Sequence, residues 1–134
     1  MTAKNRPAGV FCIEGEKVGY FAFHGSPGTI RIGRKHIDLE HLGRLLEKRA
    51  QGKTLYFGSC STVQVSDAEL DQFKRTTGAR VIAGFTKDVD WLESAAFDLL
   101  ALRAFTHFAR IDGARNWLRR NYPDLVSRNR FVLR

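Results

Sequence analysis

Two short stretches carry side chains suited to one reaction. FAFHGSPG, residues 21–28, ends an apolar run in His24 and Gly25, and LYFGSCST, residues 55–62, ends another in Cys60 between Ser59 and Ser61. A neutral thiol is a poor nucleophile. A neighbouring imidazole can make the thiolate and later protonate the leaving amine of a cleaved amide. Ser59, Ser61 and Gly25 are small enough to leave room for a substrate backbone, and the amide N–H groups of Gly25 and Cys60 could stabilise the oxyanion formed on attack. The pair reads as a Cys60/His24 dyad for peptide-bond hydrolysis. Each residue alone says little, because a strand-end cysteine usually packs as a small hydrophobe and a strand-end histidine usually makes a structural hydrogen bond.

Side chains 36 positions apart need a scaffold to meet. Residues 10–13 and 18–23 are apolar enough for buried strands, and residues 29–32 form a short strand after the turn SPG. A helix begins at Leu39, capped by Asp38, with Leu39, Leu42, Leu45 and Leu46 on one face and Gly52 as its stop. Residues 53–58 give the strand that leads into Cys60. Ser66 and Glu69 form a capping-box pair for the next helix, which turns Leu70 and Phe73 inward and closes at Gly78. Residues 80–85 are another strand. Asp90 and Glu93 open an apolar helix reaching about Phe108, a further helix spans about 112–122, and residues 130–133 alternate like a last edge strand. Short apolar strands between amphipathic helices predict an α/β domain with a mainly parallel sheet. In such sheets, residues just past the carboxyl ends of the strands share a crevice, and two adjacent parallel strands would bring His24 and Cys60 to it.

The chain of 134 residues fits a single domain, 1–134, with one core. Cys12 and Cys60 are its only cysteines and have no metal-ligand spacing, which predicts reduced thiols and a cytoplasmic protein. No apolar run suits a signal peptide or a membrane span. The charge is uneven: residues 101–134 hold eight arginines against two acids, a net +6 of the chain's +8. Such a segment could hold a polyanion or an acidic partner, but no nucleic-acid motif accompanies it and the reading favours a solvated face. His36, His41 and His107 show no ligand pattern, so no metal is assigned.

His24-Gly25 after FAF, Cys60 after LYFGS, and the later TGARVIAGFTKDVDWLESAAFDLL resemble the core of caspase-like cysteine peptidases, in particular the bacterial CHAT-type branch, over residues 10–100. The resemblance implies a three-layer αβα sandwich, hydrolysis of a peptide or protein substrate without metal or organic cofactor, His24 as general base and acid, Cys60 as nucleophile and Gly25 as an oxyanion donor. It makes the GFTKDVDWLESAAF stretch a rim of the substrate cleft, where Asp88 and Asp90 would receive a basic side chain. Asp90 reads equally well as a plain helix cap, and Arg31 and Arg34 offer the opposite preference.

The sequence departs from that family near its start. Only Gly15, Glu16 and Lys17 lie between VFCIE and VGYFAF, too few for a parallel crossover, so these strands can pair only as an antiparallel hairpin. The missing elements predict an open sheet edge, a homodimer, and weak or no activity of the isolated chain. Two other readings compete. HGSPG resembles the oxyanion loop of α/β-hydrolases, but FGSCST lacks the second glycine of a nucleophile elbow. A catalytically degenerate module could instead bind a protein or polyanion through its basic C-terminal segment or open edge.

Overall fold

The computed structural model describes residues 10–11, 17–58, 61–87 and 90–134, with backbone alone at Val10, Phe11 and Trp91. Three helices start where a short polar side chain can take up a free amide of the first turn. Asp38 accepts from the His41 N–H at 2.7 Å and opens α1 (Leu39–Leu45). Ser66 accepts from the Glu69 N–H at 3.2 Å and opens α2 (Asp67–Thr77), which Gly78 closes in the left-handed conformation. Asp90 accepts from the Glu93 N–H at 2.9 Å and opens α3 (Trp91–His107).

Among the described residues, eight strands and two C-terminal helices complete the fold: β1 (Val10–Phe11), β2 (Val18–Phe21), β3 (Gly25–Ser26), β4 (Thr29–Ile32), β5 (Lys35–Asp38), β6 (Thr54–Phe57), β7 (Val81–Phe85) and β8 (Phe131–Leu133), with α4 (Ile111–Asn121) and α5 (Pro123–Arg128) before the last. The main sheet has the order β1-β2-β6-β7-β8. Its three central strands run parallel, with Phe21 opposite Phe57 and Phe57 opposite Gly84, and its two edge strands run antiparallel to them. The protein is thus of mixed α/β class. No helix among the described residues is long and apolar enough to cross a membrane.

Residues of β6 and β7 are buried on both faces, as central parallel strands require. On one side Phe21, Leu55, Phe57 and Ile82 pack with Leu39 and Leu42 of α1 and Leu70 and Phe73 of α2. On the other, Tyr56, Ala83 and Phe85 pack with Phe97, Ala101 and Phe105 of α3 and Ala114 and Leu118 of α4. Each fully buried phenylalanine contributes about 1.5–3 kcal/mol by leaving water, so these two clusters dominate stability. Ala101 and Ala104 of α3 and Ala114 of α4 are buried in this second cluster.

Parts of the expected scaffold are corrected here. Val10 and Phe11 pair antiparallel with Phe21 and Tyr20, as the short spacing predicts and unlike the parallel crossover of a caspase-like sandwich. After β2 the chain makes a second, three-stranded antiparallel sheet, β3-β4-β5, where only one strand was expected. Its outer strands contain GS and KHID, which carry little strand signal of their own and are held by pairing with β4. Helix α1 stops at Leu45 rather than running to Gly52, and Leu45 lies 52% exposed on its flank while Leu39 and Leu42 face the core. Helix α5 was not anticipated: Pro123 at its start suits a first helical turn, but no residue of α5 is buried.

Arg134 clamps the end of β8 to α2. Its guanidinium makes two bonds to Asp71, both 3.0 Å, and lies 3.3 Å from Asp67. The hydrogen bond from Arg134 holds the Asp71 carboxyl below its ordinary 3.8. A carboxylate whose folded pKa is depressed stabilises the fold above its unfolded pKa and loses that contribution as pH falls through the folded one. The clamp is on the surface and is screened by salt. Asp71→Asn should therefore lower the Tm slightly at pH 7, with the gap to wild type closing below about pH 4. A gap of constant size from pH 7 to pH 2 would show that the clamp does not act through charge.

Candidate functional site

The carboxyl ends of β2, β6 and β7 lie at one edge of the sheet because the three strands are parallel neighbours. The β2–β6 ladder continues one bond past its strands, where the Gly58 N–H donates to the Phe21 carbonyl at 3.1 Å. In sequence, His24 follows Phe21 by three residues and Cys60 follows its partner Phe57 by three. Cys60 and Ser59 fall outside the described residues, as do Cys12, Glu14, Glu16 and Asp88.

The small sheet fixes the histidine segment. The His24 carbonyl accepts from the Arg31 N–H at 2.8 Å, and Ser26 pairs with Thr29. Because bonded and non-bonded pairs alternate in an antiparallel ladder, the intervening Gly25 turns its N–H away from β4. His24 itself is exposed. The β3–β4 turn then docks onto the chain that follows Cys60: the Gly28 N–H donates to the Thr62 carbonyl at 2.9 Å, and the Thr62 hydroxyl donates to the Thr29 carbonyl at 2.9 Å. Gly28 occupies the left-handed region at φ 73°, and a Cβ there would press on Val65 at 3.2 Å, so glycine serves both the turn and the contact. The two predicted segments are therefore tied together through their backbones.

Other predicted residues have different surroundings. Ser61 and Thr62 are completely buried, so the Ser61 hydroxyl faces the interior. Asp90 is exposed and its carboxylate caps α3. Glu93 pairs with Arg128 at 3.5 Å rather than returning to the Asp90 backbone. Among the described residues no three His, Cys, Asp or Glu side chains gather as a metal site would require.

A buried acid beneath this edge had escaped the sequence reading. Asp98, on the inner face of α3, is 4% exposed and accepts hydrogen bonds from two tyrosine hydroxyls. Tyr20 reaches its Oδ2 at 2.7 Å, and Tyr56, wholly buried, reaches its Oδ1. The two tyrosines are register partners on β2 and β6, and their rings stack with centroids 5.4 Å apart. Gly58 closes the group from above: a Cβ there would lie 2.5 Å from the Tyr20 hydroxyl and 2.7 Å from Asp98 Oδ2. Asp98 consequently ties α3 to both strands beside Gly58, the last described residue before Ser59. The one available signal was a lone acid in the apolar run SAAFDLLAL, since a charge on a buried helix face needs partners.

The model of a family of unknown function, DUF6642, matches residues 12–132, about nine-tenths of the chain. The chain belongs to that family. No curated protein matches it, and no solved structure does. The resemblance to caspase-like and CHAT-type peptidases is therefore set aside: the family matched is a different one, and the antiparallel β1–β2 pairing and the inserted small sheet depart from the scaffold which that resemblance implied.

Proposed function

We propose that the chain is a cysteine-dependent hydrolase of peptide bonds, with Cys60 as nucleophile and His24 as its proton acceptor and donor. The observation that carries this reading is the parallel pairing of β2 with β6, which sends both segments off the same edge in register. Core clusters on both sides of the sheet support a three-layer αβα arrangement around it. In the reaction His24 takes the thiol proton as Cys60 Sγ bonds to the amide carbon. The C–N bond then breaks as the imidazolium protonates the leaving amine. Water, deprotonated by His24, attacks the thioester and releases the carboxylic acid and the thiol. The outward Gly25 N–H would stabilise the negative oxygen of both tetrahedral intermediates.

Thiol reactivity tests the dyad without a known substrate. Cys60 should react with iodoacetamide faster than Cys12 in the folded protein, and His24→Ala should slow Cys60 labelling at pH 7 by about tenfold by removing the group that favours the thiolate. Equal labelling of the two cysteines, unchanged by His24→Ala, would remove the reading. Hydrolysis across a fluorogenic peptide panel, lost in Cys60→Ala, is the direct assay.

A further inference from the structure

We infer that the outer edge of β8, with the cavity beside it, is a docking groove for an extended acidic peptide that joins the sheet as a sixth strand. Strand β8 ends the sheet on the side away from β1. Arg134 and Ile82 exchange both backbone bonds at 2.8 Å, and the Arg130 carbonyl accepts from the Thr86 N–H at 3.1 Å. The antiparallel alternation then turns the N–H and C=O groups of Val132 toward β7 and those of Phe131 and Leu133 outward. An outward row of this kind is a template for another strand.

Side chains beside the edge determine which strand fits. A cavity of about 160 Å³ lies between α4, α5 and β8, with Leu118, Val126, Phe131 and Leu133 as apolar lining and Arg115 and Arg119 among them. That volume takes one side chain and falls short of the several hundred Å³ typical of a small-molecule site. Arg115 is already held by Asp112 at 3.0 Å, whereas Arg119 has no acid partner among the described residues. Arg119 can accept a carboxylate from an added strand without breaking an existing pair. The surrounding segment carries the net +6 noted above, which draws an acidic chain toward the edge and repels a basic one. Backbone pairing supplies affinity, and Arg119 with the small apolar cavity supplies selection. This surface is independent of Cys60 and His24.

The experiment is fluorescence anisotropy with three labelled heptapeptides: alternating Val and Glu, the same sequence N-methylated at every residue, and alternating Val and Lys. The Val/Glu peptide should bind, and the methylated and Lys peptides should bind at least about tenfold more weakly. Arg119→Glu, an exposed substitution whose folding is checked by circular dichroism, should weaken the Val/Glu peptide about tenfold. Amide shifts on binding should centre on Phe131 and Leu133. Equal binding of the methylated peptide would mean charge attraction alone and overturn the proposal, as would equal displacement by heparin. Concentration-dependent self-association that blocks the peptide would assign the edge to a second copy of the chain, and indifference to Arg119→Glu would also sink the idea.

Discussion

Asp98→Ala is expected to lower stability by about 3–5 kcal/mol, measured by urea denaturation at pH 7. The substitution removes the acceptor of two hydroxyl hydrogen bonds, one of them from the fully buried Tyr56. Losing its acceptor costs a buried donor about 1–3 kcal/mol; the Tyr56 hydroxyl is such a donor, and the part-buried Tyr20 hydroxyl loses a bond as well. The missing carboxyl group also leaves a gap between α3 and the sheet, which adds a cavity cost. Asp98→Asn keeps one acceptor oxygen and should cost about half as much. Because the three groups act together, Tyr56→Phe should be less damaging in Asp98→Ala than in wild type, by at least about 1 kcal/mol. A loss below about 1 kcal/mol for Asp98→Ala, or strict additivity with Tyr56→Phe, would show that the acid does not tie these elements together. The position matters beyond stability, since the carboxyl end of β6 is also the start of the Cys60 segment. Loosening Asp98 should slow Cys60 alkylation only if that segment needs a fixed β6 end, a readout separate from melting.

Local chemistry was legible and distant chemistry was not. Asp38, Ser66 and Asp90 cap their helices by reaching three residues ahead, a relation visible in any seven-residue window. Gly78 as a helix stop, and the apolar runs that became β2, β6 and β7, are legible for the same reason. A helix between the β2 and β6 runs is what a parallel crossover needs, and the two strands are parallel neighbours. Strands β3 and β5 could not be read this way, because GS and KHID become strands only through β4 between them. The hub at Asp98 joins residues 78 and 42 positions away, and no window along the chain contains it. The family resemblance failed for a related reason. A strand ending in histidine and another ending in cysteine follow from how parallel sheets expose their carboxyl ends, so that pattern does not identify one family. Residues 12–132 taken together place the chain elsewhere.

Gly58→Ala should cost about 1–3 kcal/mol although it adds a single methyl group. Two effects oppose each other. Alanine restricts the unfolded chain and would favour folding by about 0.4–1 kcal/mol at a position that tolerates it. Gly58 does not have a left-handed backbone, so backbone conformation raises no objection. The new Cβ, however, would fall 2.5 Å from the Tyr20 hydroxyl and 2.7 Å from Asp98 Oδ2, far inside normal contact. Neither neighbour can move freely, because the tyrosine ring stacks on Tyr56 and the carboxylate holds two hydroxyls. Overpacking of a fixed site costs about 1–3 kcal/mol and outweighs the gain in the unfolded state. If the clash is with Tyr20, then Tyr20→Ala opens the space and the double variant Gly58→Ala/Tyr20→Ala should be more stable than the sum of the two single losses by more than about 1 kcal/mol. Additive losses, or a stabilised Gly58→Ala, would mean that the chain at Gly58 can shift away from the hub. The Cys60 segment would then not be held by the Tyr20–Asp98 pair, and the labelling rate of Cys60 should be the same in Gly58→Ala as in wild type.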